Sequence, residues 1–238
     1  MSYDSGNKWT ARATMPQVGI DVGLRDYMLR IYNYMAGGLA ITGIVAYVAA
    51  ATGFYQHIVG TALFWVVVFA PIGLVMLLSF RIQSMSLGAA QLTFWAYAAL
   101  VGLSLSGIFI VYTGASIARV FFITSGTFLA MSLYGYTTRR DLSRFGAFLF
   151  MGLIGIVIAS LVNLFVGSSA IQFAISVIGV VVFVGLTAWD TQRIKEMYWE
   201  GDAAIVSGKK AIMGALTLYL DFINLFVMMM QLMGTRRD

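Results

Sequence analysis

Two of the ten acidic residues in this 238-residue chain lie inside strongly apolar stretches. Asp190 closes the run IQFAISVIGVVVFVGLTAWD, and Asp221 sits within AIMGALTLYLDFINLFVMMMQLMG. A carboxyl at the centre of a bilayer costs about 2.5–3.5 kcal/mol on insertion scales, so an acid kept there marks a site by default, provided it has a partner. Two acids on consecutive membrane segments are candidates to partner each other. Brought together, they hold one shared proton over a range of pH and titrate as a coupled unit. Once both are ionised they repel or recruit a cation. Asn224, three residues after Asp221 and on the same helix face, either orients the carboxylate or satisfies a backbone carbonyl. Asp190, Asp221 and Asn224 offer oxygens that Ca2+ accepts, and so few ligands make a weak, exchangeable site. The competing use of the same acids is a hydrogen-bonded pair that only fixes helix register.

Elements able to position this pair follow from composition. The chain is 60% hydrophobic and 11% charged, with a mean hydropathy of +0.87, against roughly 45–50% apolar and about 25% charged in a globular domain. The apolar residues fall in seven runs of bilayer-spanning length, at 29–52, 58–80, 86–112, 115–136, 145–167, 170–191 and 211–234. The expected fold is one all-α, seven-helix membrane bundle over residues 29–238, after a polar tail over 1–28. That tail lacks the apolar core and cleavage site of a signal peptide. Pro71, inside the second run, removes a backbone donor and serves as a tolerated kink or a hinge. With no cysteine, thiol catalysis, disulfides and cysteine-based metal sites are excluded.

The net charge of +5 reads as membrane topology, not as nucleic-acid binding. Lys8, Arg12, Arg25, Arg30, Arg81, Arg139, Arg140, Arg144, Arg193, Lys195, Lys209 and Lys210 fall on one side of the bundle. Arg119, Arg236 and Arg237 fall on the other. The positive-inside rule then puts the N-terminus in the cytoplasm and the C-terminus outside, as expected of a multi-pass protein of a cell inner (plasma) membrane. Arg81, just past the second span, is the candidate counter-charge for the aspartates, or an ordinary basic residue of that side. The loop 192–210 contains Gly201 and Gly208 as breakers, and its start continues the sixth span as helix. Glycines at 37, 38, 43, 102, 107, 152, 155, 179 and 185 mark close helix contacts, and Gln91, Asn163, Gln172 and Gln231 mark hydrogen bonds between helices.

Rival chemistries fit poorly. Intramembrane aspartyl proteases resemble Gly-x-Gly-Asp at the second acid, whereas this chain has Leu218-Tyr219-Leu220-Asp221. A serine protease of the bilayer needs a histidine beside its serine, and the only histidine, His57, falls in a loop. A retinal protein needs a lysine within the last run, and none is there. A proton-coupled transporter stays open, since it too works through coupled carboxyls; inverted repeats would support it, and none is evident.

The segments GLTAWDTQRIK (185–195) and LYLDFINLF (218–226) resemble the signature segments of the Bax inhibitor-1 family in its bacterial branch. The resemblance implies a seven-helix fold in which the last helix is central and wrapped by the other six. It implies a non-enzymatic, pH-sensitive calcium leak governed by an aspartate pair, which falls on Asp190 and Asp221. The resemblance places the family's basic residue near the end of span two on Arg81. A membrane glutamate that some relatives carry in span two is absent from VVVFAPIGLVMLLSF (66–80). Some bacterial relatives are instead linked to a membrane-bound AAA protease, which makes a non-conducting regulatory partner the alternative. Expected ligands are membrane lipid and calcium ions or protons, with no cofactor beyond Ca2+ and no nucleic acid.

Overall fold

Hydrocarbon offers no hydrogen bonds, so a chain that enters it must close its backbone bonds within helices or a barrel. The computed structural model describes residues 21–237, and these form eight helices. They are α1 (Val22–Ala51), α2 (Phe54–Ile58), α3 (Ala62–Arg81), α4 (Leu87–Val111), α5 (Gly114–Thr137), α6 (Ser143–Val166), α7 (Ser169–Glu196) and α8 (Ala204–Met233). All but the short α2 are long and apolar enough to cross a membrane. Short polar residues start several of them. Asp21, Ser86, Thr113 and Ser168 each accept a hydrogen bond from the N–H three residues on, satisfying one of the donors a helix leaves open.

Two helices start earlier than hydropathy places them. Val22 precedes the expected start at 29, and Ala204 precedes 211, by about two turns each. The tail therefore gives way to helix at 22, not 28. Gly208 lies within α8 and is no breaker, and Lys209 and Lys210 are helical rather than in a loop. A hydropathy window sees only the part of a helix that meets hydrocarbon, whereas these first turns are charged. The expected continuation of the sixth span is present, because α7 runs to Glu196. Lys8, Arg12 and Pro16 lie outside the described residues.

The last helix is the central one. α8 packs against α1, α4, α5 and α7, while α3 lies chiefly on α4 and α6 on α7. Four spans thus hold α8 directly, and two cover its neighbours. Tyr219 of α8 is fully buried, and its hydroxyl meets Thr42 Oγ1 of α1 at 2.6 Å. Thr42 in turn lies 2.9 Å from the Ala98 carbonyl of α4, so one polar chain ties three helices. Gly102 permits the approach of α4 to α1, since a Cβ there would lie 2.7 Å from the Thr42 carbonyl oxygen. Gly43 and Gly155 meet no atom within 4 Å and are not the close contacts that their residue type suggests.

Pro71 sits buried inside α3. Its missing N–H leaves the Val67 carbonyl, four residues back, without its helical donor. Ser104 of α4 supplies one, with Oγ 2.8 Å from Val67 O and 3.0 Å from its own Leu100 carbonyl. We expect Ser104→Ala to cost about 1 kcal/mol when unfolding is followed in detergent. The same substitution should cost close to nothing in a Pro71→Ala background, where the restored backbone N–H again donates to the Val67 carbonyl.

Candidate functional site

Antiparallel packing of α7 on α8 brings the two acids together. Gly214 of α8 lies against Ile194 of α7 and Met228 against Gly179, and Asp221 falls between, opposite Asp190. The two carboxyl groups approach as hydrogen-bond partners. They are 6% and 5% exposed, so water cannot fully solvate either. Two neighbouring carboxyls can hydrogen-bond only when one of them carries a proton. Asp221 Oδ2 has no hydrogen-bond partner among the described residues. Both acids line a cavity of about 470 Å³ between α6, α7 and α8, together with Thr217, Asn224, Trp189 and Arg193.

Every residue flanking Asp190 is fixed by a neighbour. The Trp189 indole occupies the space that a Cβ on Gly146 would take, and Gly135 lets α5 press on the Ala188 carbonyl. Neither glycine stands out in the sequence. Thr191 joins a buried hydroxyl chain: Tyr32 bonds Ser132, Ser132 lies 3.0 Å from Thr191, and Thr191 donates to the Thr187 carbonyl at 2.7 Å. Gln192 donates to the Arg140 carbonyl and accepts from the Leu142 N–H, each at 2.9 Å. Lys195 donates to the Tyr136 carbonyl at 2.8 Å. The last turns of α7 are thereby lashed to α5 and to the α5–α6 connection, and Asp190 is held to one register.

The predicted supporting residues fare differently. Asn224 lines the cavity, but its Nδ2 donates to the Leu220 carbonyl of its own helix at 2.8 Å. Of the two uses open to it, the amide serves the carbonyl. Arg81 is exposed at the end of α3 and does not line the cavity. α3 packs chiefly on α4, which keeps that end away from the pair. The charge facing Asp190 is Arg193, less than one turn further along α7, with its guanidinium carbon 5.5 Å from the centroid of the Trp189 ring. Arg193 was legible in the sequence by its i, i+3 spacing from Asp190. No cluster of three or more metal-ligating side chains (His, Cys, Asp or Glu) occurs among the described residues.

Amides close the other end of the same seam. Gln172 and Ser176 of α7 both reach Gln231 Oε1 of α8 at 2.7 Å, and Asn163 of α6 donates to Gln172 at 3.3 Å. Met228 packs between these amides and the aspartate cavity, against Gly179. As expected, Gln91 of α4 also bonds across helices, to the Tyr34 hydroxyl of α1.

A seven-span helical bundle with a buried acid pair between its last two helices defines a class of polytopic membrane proteins. The family model described as inhibitor of apoptosis-promoting Bax1 matches residues 24–238, and the chain belongs to that Bax inhibitor-1 family. It is 51% identical to the inner membrane protein YbhL of Escherichia coli (strain K12) over 219 residues, covering 90% of this chain and 94% of the relative. It is 50% identical to an uncharacterized protein of Rickettsia prowazekii over 230 residues, covering 96% and 98%. An uncharacterized protein of Caulobacter vibrioides is 38% identical over 248 residues, covering 99% of each.

The placement of Arg193 is testable by a double-mutant cycle. Because Arg193 is exposed, its interaction with Asp190 is screened, and we expect Arg193→Gln to cost up to about 1 kcal/mol at low salt. That loss should vanish in an Asp190→Asn background, whereas Arg81→Gln should show no coupling to Asp190. Unfolding in detergent at two salt concentrations reads both.

Proposed function

We propose that this protein is a non-enzymatic, pH-sensitive calcium leak in which the Asp190–Asp221 pair is the proton-controlled element. One observation carries the reading: a buried carboxyl pair faces a cavity, and one oxygen of Asp221 is left without a protein partner. With one proton between them the carboxyls hold each other and the seam is latched. Loss of that proton leaves two adjacent anions, which separate or take up a cation.

The ligand set suits cargo more than a resident ion. Two carboxylates and the Asn224 amide oxygen fall well short of the 6–8 oxygens that Ca2+ prefers. Calcium would therefore bind weakly and leave, as conduction requires. Toward the far end of the seam, Met228 and then the Gln172–Ser176–Gln231 amides lie in its course. We place the protein in an inner membrane, by analogy with the E. coli relative. Its basic end then faces the cytoplasm by the positive-inside rule, and the acid pair lies in the half of the bundle nearer that side.

Calcium entry into liposomes containing the purified protein, measured over a pH series, tests this. We expect a flux that responds to pH in the wild type, and loss of the pH response in Asp190→Asn and Asp221→Asn. Absence of flux from correctly folded protein would sink the proposal and favour the non-conducting reading, a regulatory partner of a membrane-bound AAA protease. Survival of the pH response in both variants would remove the pair from control.

A further inference from the structure

Between α1 and α5 a furrow runs along the helices, with α8 at the floor of its middle and far sections. Both helices pack on α8, and cavities of about 290, 530 and 320 Å³ follow one another along the gap. The first two share Leu129, and the second and third share Leu39, Gly43, Phe121 and Phe222. The walls of the middle section are almost wholly apolar, with Ser125 as the one polar side chain. Gly43 opens on it, with no atom of the protein within 4 Å of the place its Cβ would take. A helix-interior glycine costs about 1 kcal/mol against alanine, and here no protein contact compensates for it.

The end of the furrow at the start of α1 differs in kind. Arg25 and Tyr136 line it, and the Lys195 ammonium lies 5.1 Å from the centroid of the Tyr136 ring. The acids on this stretch of α1 are engaged elsewhere. Asp21 caps the Leu24 N–H at 2.9 Å, and Asp26 lines a separate cleft with Arg30. Arg25 is the one charged side chain lining this end, Tyr32, Ser132 and Tyr136 bring hydroxyls, and the middle section is oily. From Arg25 to Ala36 is roughly 16 Å along α1, about the thickness of one leaflet's hydrocarbon.

We propose that this furrow binds one anionic phospholipid from the leaflet at the basic end. Its phosphate sits at Arg25 beside Tyr136, and one acyl chain lies along Met28, Leu129 and Ala36 toward Gly43. The basic end supplies the charge that selects an anionic headgroup. The apolar cavities supply the space for the chain, against the face of α8 that bears Phe222 and Phe226. Such a lipid would wedge α1 and α5 apart at a fixed distance.

Native mass spectrometry of the delipidated protein, offered equal amounts of phosphatidylglycerol and phosphatidylethanolamine with the same chains, tests this. We expect one retained lipid and a preference for phosphatidylglycerol. Arg25→Gln should lower that preference about fivefold, and Arg25→Lys should keep most of it. Ala36→Trp should reduce retention of both lipids by filling the chain site. Ser125→Trp, on the opposite wall, repeats that measurement should Ala36→Trp not fold. Arg144→Gln, an exposed arginine of the same end but outside the furrow, should change neither. Equal retention of the two lipids by the wild type would overturn the proposal. So would a fall in preference as large in Arg144→Gln as in Arg25→Gln, or unchanged retention when the chain site is filled.

Discussion

Inside hydrocarbon a polar group without a protein partner has no water to fall back on, and this constraint organises the bundle. It decides where side-chain hydroxyls and amides go. Ser104 answers the carbonyl that Pro71 strands, Thr42 and Tyr219 answer one another at the centre, and the Gln172–Gln231 pair closes one end. Each of these bonds joins two helices, so satisfying polar groups and assembling the bundle are the same act. Against that background two buried oxygens among the described residues have no hydrogen-bond partner, the Tyr27 hydroxyl and Asp221 Oδ2, and only the second lies at the acid pair.

Central placement of α8 has a second consequence. Four spans pack on it directly, and four helices do not close a complete ring around a fifth. One gap, between α1 and α5, is lined by apolar residues with Arg25 at one end. The other gap, toward α6, contains the aspartates and Asn224. The same α8 therefore presents an oily face to one gap and an acidic face to the other. Phe222 and Asp221, adjacent residues of the one helix, line the two gaps.

The apolar runs made the seven spans legible, and the cost of an acid in hydrocarbon singled out Asp190 and Asp221. Their contact was not legible, because it depends on the register of α7 against α8, which no local pattern fixes. Arg193 was overlooked in favour of Arg81 because a basic residue near the membrane edge reads as a topology signal wherever it stands. Only the packing of α3 on α4 shows that Arg81 is remote. Glycine type was an unreliable guide as well. Gly135 and Gly146 carry the contacts that seat the Asp190 turn, whereas Gly43 and Gly155 face open space. A glycine in a membrane helix can mark a neighbouring backbone, a neighbouring ring or a vacancy, and the sequence looks alike in each case.

The position of Arg193 bears on why two acids are kept where two amides would also hydrogen-bond. An amide pair has one charge state, and an arginine beside it would gain nothing by staying. A carboxyl pair with a single proton carries one negative charge, which the exposed Arg193 faces from the solvated edge of the cavity. Arg193 attracts the pair in either ionised form and gains little from the neutral one. A proton leaving or arriving thus changes two interactions together, the bond between the carboxyls and the attraction of Arg193. The register-fixing use of the acids explains the first interaction alone. The placement of Arg193 at one edge of the cavity accords with the proton-controlled pair proposed above.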